Sequence, residues 1–321
     1  PTEHLPKGLC GSRLPRVART SRPACHACNR AWNRWGPDPV SPEPRLESTL
    51  RETLDGDVAF DPATRAMYAT DASVYQLMPA GVVRPRGVDD VSTVLAACRE
   101  HGLSLTARGG GTSQAGQAIG RGLQVDFSKH MHRLLELKPD QQRVRVEPGI
   151  VLDELNAMLA PYDLLLPLDL STSNRATIGG MIANNSSGTR SVIYGKTLDY
   201  VESLLVMLSD GSVVEWADID EVELATRCDE DSLNGRCHRL VRQLAHRHAA
   251  EIDQRYPKLL RRVGGYNLDE FVPGHSKPFN LSRLLVGSEG TLGLVLEATL
   301  RLVRMPRSRL VLSVQFDDLL D

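Results

Sequence analysis

Arg108-Gly109-Gly110-Gly111-Thr112-Ser113-Gln114-Ala115-Gly116 is the stretch from which the fold can be read. Three consecutive glycines open backbone conformations closed to residues with a Cβ and bring bare peptide N–H groups against a ligand. A row of such groups makes an anion nest. Thr112 and Ser113 add hydroxyl donors and Arg108 adds a fixed positive charge, so a phosphate or pyrophosphate is the natural guest. A plain glycine-rich turn is the alternative. The flanks narrow the choice. A dinucleotide loop of the Rossmann kind needs a strand before it, a helix after it and G-x-G-x-x-G spacing. Leu103 to Ala107 supplies the strand, but Gln117 to Gly122 leads into a second strand, Leu123 to Phe127, instead of a helix. No G-K-[ST] triplet follows at P-loop spacing, which excludes a P-loop. The stretch reads as a strand–glycine loop–strand phosphate cradle.

Outward from the loop, composition bounds the class. The 321 residues are long for one domain and short for three. Hydrophobic residues make up 41% and charged residues 24%, as in ordinary globular chains. A balance of 38 basic against 40 acidic residues, net charge -2, argues against a general nucleic-acid binder. No stretch reaches the roughly 18 to 20 uncharged apolar residues of a transmembrane segment; the best candidate, Leu284 to Leu300, is interrupted by Glu289 and Glu297. The six cysteines, Cys10, Cys25, Cys28, Cys98, Cys228 and Cys237, show no disulfide framework. Reduced thiols and a cytoplasmic location are therefore expected, with peripheral attachment at the inner membrane as a further expectation.

Residues 1–45 read as a basic, proline-containing, disordered leader without helical or strand period. Cys25-His26-Ala27-Cys28 resembles half a zinc site, but no second pair follows at a useful distance, so no metal site is expected. Order is expected from Leu46. A helix over Leu46 to Leu54 and an Asp-Pro helix start at Asp61-Pro62 precede a strand at Val82 to Arg84. Asp89 and Asp90 are expected to cap a helix whose Val91, Val94, Leu95 and Cys98 repeat at helical spacing, with Gly102 as its stop. Beyond the loop, Arg143 to Glu147 alternates as a strand, and Leu152, Leu155, Met158 and Leu159 mark a helix before a short strand, Leu164 to Leu166. Val201 to Leu208 and Val213 to Trp216 form a hairpin around Asp210-Gly211. Asp231 to Tyr256 reads as one charged helix with Leu240, Val241, Leu244 and Ile252 on one face and His238, His246 and His248 on a solvated one. Leu310 to Phe316 reads as a strand, with a helix opening at Asp317 to Leu320.

Two further turns resemble the first in composition. Ala176-Thr177-Ile178-Gly179-Gly180-Met181-Ile182-Ala183-Asn184-Asn185-Ser186-Ser187-Gly188 combines small residues with hydrogen-bonding ones, suited either to a flat ligand or to a tightly packed helix start. Leu284 to Leu300 contains Gly287-Ser288-Glu289-Gly290-Thr291-Leu292-Gly293 ahead of an apolar strand.

R-G-G-G-T-S-x-x-G, T-I-G-G-x-x-A-N-N-S-S-G and G-S-E-G-T-L-G, in this order, resemble the FAD-linked oxidases with a para-cresol methylhydroxylase-type flavin domain. The D-lactate and D-2-hydroxyglutarate dehydrogenase branch is the most similar. N-N-S-S-G-T-R-S-V-I-Y-G-K-T-L-D-Y-V and R-R-V-G-G-Y-N-L-D-E-F resemble its long bacterial members, in which a flavin half is fused to an iron–sulfur half. The resemblance implies an α+β fold of two subdomains gripping FAD: residues 46–305, divided into 46–130 and 131–305, with 306–321 opening a truncated cap domain. It implies that Arg108, Gly109, Gly110, Gly111, Thr112, Ser113 and Gly116 hold the pyrophosphate. Thr177, Gly179, Gly180, Asn184, Ser187 and Gly188 would line the flavin side, with Glu289, Gly290 and Val295 near the cofactor. Some family members tether FAD through a histidine in the first loop; Thr112 stands in its place, so FAD is expected to be non-covalent. The implied activity is hydride transfer from a D-2-hydroxy acid to flavin. An iron–sulfur domain, quinone or cytochrome would be the electron acceptor. The catalytic base is left unnamed, because the cap that supplies most substrate contacts is essentially absent. An iron–sulfur cluster is expected only in a C-terminal part that this sequence does not include. The chain thus reads as the flavin-binding part of a longer enzyme, or alternatively as an FAD module without catalysis of its own.

Overall fold

The computed structural model describes residues 44–308, 310–316 and 318. Two β-sheets carry the fold. The first contains β1 (Asp57–Ala59), β2 (Gly81–Arg84), β3 (Leu105–Arg108) and β4 (Leu123–Asp126), in the order β1-β2-β4-β3. β2, β4 and β3 run parallel, and β1 closes one edge antiparallel. Parallel strands need a crossover, and the helix Val88–Glu100 provides the one from β2 to β3. Its Val91, Val94 and Cys98 are buried in one cluster with Val83, Leu123 and Val125, joined by Leu46 and Leu50 of the helix Pro44–Thr53. Burial pushes the Cys98 thiol up to about 11, so it sits in the core as an uncharged group.

The start of that crossover helix departs from expectation. Its N-cap is Gly87, with no side-chain cap. From the third helical position the buried Asp90 instead reaches back, accepting from the amides of Asp55 (3.0 Å) and Arg86 (2.7 Å). One carboxylate therefore ties the helix start to the chain ahead of β1.

The second sheet contains β5 (Leu134–Lys138), β6 (Arg143–Val146), β8 (Val201–Met207), β9 (Val213–Trp216) and β10 (Leu294–Arg301), all antiparallel, in the order β5-β6-β10-β8-β9. β7 (Leu164–Leu165) pairs separately with β11 (Val303–Arg304). β5 is absent from the sequence reading because L-L-E-L-K does not alternate; it is a strand because β6 takes its backbone hydrogen bonds. One cluster of buried side chains packs this sheet against the helices Leu152–Leu159 and Ile178–Asn184. Met207, Leu294 and Leu296 enter the cluster of the first sheet instead, so the two layers share apolar surface. Met158, read with the apolar face, is exposed.

Asp231 to Tyr256 is two helices, Leu233–Arg247 and Ala249–Arg255, broken at His248 and preceded by Glu221–Asp229. The buried stripe runs through Asn234, His238, Val241 and Ala245. Leu240, expected in the core, is 55% exposed, since one residue rotates a helix by about 100°. His238, expected on a solvated face, is buried, holds the Asn234 carbonyl at 2.8 Å and stacks on Phe279. Desolvation lowers its pKa.

Leu310 to Phe316 forms no strand and is exposed, Leu310 by 97%. An apolar alternating run becomes a strand only when a neighbour completes its ladder, and no described residue does. The helix expected at Asp317 to Leu320 and the basic leader with its Cys25–Cys28 pair lie outside the described residues, except Asp318 and the leader's last two residues, Pro44 and Arg45, which open the helix Pro44–Thr53. Among the described residues no helix is long and apolar enough to cross a membrane.

Candidate functional site

The three glycine-rich turns line one cleft of about 410 Å³. The first begins at the carboxyl end of β3, the edge of a parallel sheet where ligands collect. Gly111 has φ +65°, a left-handed conformation that favours glycine. The backbone N–H groups of Gly109, Gly110, Gly111, Thr112 and Ser113 reach no acceptor among the described residues. Five successive amides without a protein acceptor, on a loop that lines the cleft and holds one left-handed residue, are the kind of donors an anion nest requires. The Ser113 hydroxyl donates to the Gln117 side-chain oxygen and braces the far end of the loop.

Arg108 secures the near end. Its guanidinium donates to the carbonyls of Tyr68 (3.3 Å), Thr70 (2.8 Å) and Ala118 (3.0 Å) and stacks 5.1 Å from the Tyr68 ring centroid. Burial lowers its pKa, opposed by Tyr68, Asp126 and Asp71. Tyr68 in turn donates to Asp126 at 2.5 Å and receives Arg84 at 3.1 Å. This network was not apparent in the sequence, where Tyr68 and Arg84 lie 40 and 24 positions before the loop's arginine.

The second turn opens the helix Ile178–Asn184. Thr177 is its N-cap and accepts from Gly180 N at 3.3 Å. The Gly179 amide is taken by the Pro148 carbonyl at 2.7 Å. This turn contributes a thin wall of backbone and small side chains, and its first amides are used internally. The two turns are pressed together. A Cβ on Gly109 would lie 2.0 Å from the Thr177 hydroxyl, and one on Gly110 would lie 2.1 Å from the Arg175 carbonyl. Glycine is needed there for close approach of two chain segments as well as for ligand access.

The third turn docks on the end of the same helix: Gly287 N donates to Ile182 O and Glu289 N to Ala183 O, both at 2.9 Å. Glu289 has φ +53° and accepts from the Asn184 amide at 2.9 Å, while Ser186 donates to the Asn184 oxygen at 3.0 Å. Burial raises the Glu289 pKa, partly opposed by the Asn184 bond.

Arg108 to Ser113, Thr177, Gly179, Gly180, Asn184, Ser187, Glu289, Gly290 and Val295 all line the cleft. Gly116 and Gly188 do not. Gly116 has φ +84° and abuts the Tyr75 ring. A Cβ on Gly188 would collide with the Asp169 carbonyl at 1.6 Å, so this glycine admits the segment that brings Leu170, Ser171 and Thr172 to the wall. Ser171, Thr172, Gln114, Gln117, Ser186 and Ser288 are lining residues that the sequence reading missed. Ser288 had a signal, since it stands inside the third glycine motif; Ser171 and Thr172 had none beyond a small polar run.

Residues 79–217 match the family described as FAD binding domain. The chain is 39% identical over 276 residues to the D-2-hydroxyglutarate dehydrogenase of Escherichia coli (strain K12), covering 85% of this chain and 27% of that protein. It is 31% identical over 281 residues to the mitochondrial D-lactate dehydrogenase [cytochrome] of Arabidopsis thaliana, covering 86% and 40%. A solved structure of alkyldihydroxyacetonephosphate synthase superposes with TM-score 0.59 at 18% identity, over 86% of this chain and 44% of that one, which shows a shared fold. The chain spans about a quarter of the length of the D-2-hydroxyglutarate dehydrogenases it matches.

Proposed function

We propose that this chain, whose residues 79–217 match an FAD binding domain, is the flavin domain of an FAD-linked oxidase, holds FAD non-covalently in the cleft and serves the oxidation of a D-2-hydroxy acid. The observation that carries the reading is the pairing of five open backbone donors with a thin glycine wall in a single cleft. A pyrophosphate needs several donors, and the Gly109 to Ser113 amides line the cleft without protein acceptors; a flat ring needs walls without bulk, and Gly179, Gly180 and Ala183 offer those. The residues present therefore fit the cofactor.

When bound, FAD would supply the redox chemistry, accepting the hydride of the substrate's Cα–H bond. The protein's own part is to bind and orient. The nest neutralises phosphate charge, Arg108 holds the nest in shape, and Thr112, which has no nucleophilic nitrogen, leaves the cofactor untethered. Asn184, fixed from both sides by Ser186 and Glu289, presents one defined amide orientation. D-2-Hydroxyglutarate and D-lactate are the substrates to test first, with an iron–sulfur domain, a quinone or a cytochrome as electron acceptor.

A second reading is favoured by one observation. The chain spans about a quarter of its D-2-hydroxyglutarate dehydrogenase relatives, so it could bind FAD without turning over alone. One experiment separates the readings. Purified protein should show a flavin absorption band after incubation with FAD. Anaerobic bleaching by D-2-hydroxyglutarate or D-lactate supports the enzyme; an unbleached band supports the module; no band refutes both.

A further inference from the structure

We propose that Tyr68 is a positioning residue: it ties together the carboxyl ends of three parallel strands at the base of the first glycine turn and so sets how tightly the cleft holds a pyrophosphate. The proposal rests on the FAD reading of the cleft. It adds a residue that belongs to none of the glycine turns and does not line the cleft.

Arg84, Arg108 and Asp126 are the last residues of β2, β3 and β4. All three meet Tyr68, the C-cap of the short helix Pro62–Met67. The Tyr68 hydroxyl donates to Asp126 at 2.5 Å and accepts from Arg84 Nε at 3.1 Å. The Arg84 and Arg108 guanidiniums lie 5.3 Å and 5.1 Å from its ring centroid. Asp126 is held in turn, its other oxygen accepting from the amide of Ser128 at 2.8 Å and from its hydroxyl at 2.6 Å. Hydrogen bonds to ionised groups are the strong ones, and guanidiniums over an aromatic ring add to them. Tyr68 is therefore fixed from three strands at once.

What Tyr68 fixes is the loop. Arg108 donates to the carbonyls of Tyr68 and Thr70. A Cβ on Gly111 would lie 2.7 Å from Arg108 Nη2, so the glycine turn folds directly over the guanidinium. The Gly111 carbonyl returns to the same segment, accepting from Ala72 N at 3.1 Å. Residues 68–72 thus grip the turn at 108 and at 111, while the amides from Gly109 to Ser113 stay without acceptors. A loop already held in shape binds more tightly, because less ordering accompanies binding.

The fold contains its own control. The Tyr200 hydroxyl donates to the Tyr194 carbonyl at 2.7 Å, and the Arg301 guanidinium lies 5.6 Å from the Tyr200 ring centroid. Neither Tyr200 nor Arg301 lines the cleft. The two tyrosines share their chemistry and differ in what their arginine holds.

The test uses the full 321-residue chain. FAD affinity is read by flavin fluorescence titration, and ADP, which carries the pyrophosphate without the flavin ring, is titrated as a competitor. Melting of the flavin-free protein confirms that each variant is folded. Tyr68→Phe keeps the ring and removes the hydroxyl; affinity for FAD and for ADP should fall together, by about tenfold. The absorption spectrum of the flavin at saturation should match that of the parent, because the walls offered to the ring belong to the other turns. Tyr200→Phe should leave both affinities within about twofold of the parent. If Tyr68→Phe does not fold, Arg84→Gln takes its place, with an expected loss of about fivefold for both ligands. Affinities within about twofold of the parent in the variant that decides would overturn the proposal. So would a loss for FAD without one for ADP, an altered flavin spectrum, an equal loss in Tyr200→Phe, or a flavin-binding parent from which ADP displaces nothing. A parent protein that takes up no FAD refutes the FAD reading itself, a separate and visible outcome.

Discussion

Two clefts of similar size lie among the described residues, and they differ in what their walls leave unpaired. The cleft between the glycine turns measures about 410 Å³, and the groove on the outer face of the second sheet about 450 Å³. Every charged group lining the second is already matched. Arg143 pairs with Glu202 at 2.6 Å, Lys138 with Glu136 at 3.0 Å and Arg145 with Glu297. Glu215 accepts from Ser203, and Asp218 accepts from Asn280 and Arg283. The first cleft carries five backbone donors without protein partners. Volume therefore fails to separate the two, while hydrogen-bond satisfaction does. A ligand can take up a donor that has no protein partner, whereas a matched ion pair must first be broken.

The strongest way to break the comparison is Gly110→Val. A Cβ there would lie 2.1 Å from the Arg175 carbonyl, and backbone cannot yield as a flexible side chain would. Flavin retention through gel filtration should fall by at least about a hundredfold, equivalent to roughly 3 kcal/mol; a variant that elutes fully yellow would show that the two turns are not in contact.

A smaller effect is expected from Gly180→Ala. Its Cβ would meet only the Thr177 hydroxyl, at 3.3 Å, and otherwise faces the cleft. Alanine favours a helix over glycine by about 1 kcal/mol, so the flavin-free protein should melt no lower. FAD affinity should drop about tenfold as the wall thickens. Unchanged affinity by titration would remove Gly180 from the site.

Glu289 links the first cleft to pH. Its folded-state pKa is raised by burial, so between the ordinary carboxylate pKa and the raised one the folded protein holds more protons than the unfolded chain. Stability then falls as pH rises through that window, and the loss is complete above the raised pKa. Glu289→Gln should flatten this part of the melting profile of flavin-free protein. An identical slope in parent and variant would mean that the carboxylate is solvated.

The smallest effect belongs to the second cleft. Arg143→Ala breaks a half-exposed ion pair, worth within about 1 kcal/mol, and should leave FAD affinity untouched. A flavin-binding defect in that variant would contradict the ranking of the two clefts.

Much of the first sheet was legible because its signals are local. The strand–loop–strand order around Gly109 to Gly111 follows from short-range punctuation, and Val91, Val94 and Cys98 fall on the buried side of their helix as their spacing requires. Errors arose where a partner decides the outcome. β5 forms because β6 is beside it, and Leu310 to Phe316 does not form a strand because no described residue completes its ladder. Leu240 lies outside the core because the helix Leu233–Arg247 is oriented by Val241, Ala245 and His238. In the site, the motif glycines were visible, but the reasons for them were not. Gly188 serves the approach of Asp169, and Gly116 lies against Tyr75, both contacts distant in sequence.

The amino-acid sequence by itself determined that residues 108–116 would present a glycine-rich loop at the end of a strand and that two more such turns would follow, because glycine, proline and hydrophobic spacing act over a few residues. Only the tertiary structure decided that these turns, from Arg108 to Val295, enclose one cleft. It also decided that the amides of the first turn stay open while Gly179 of the second is taken by Pro148. Whether a donor is available depends on which distant carbonyl reaches it, and that is settled by how the two sheets pack.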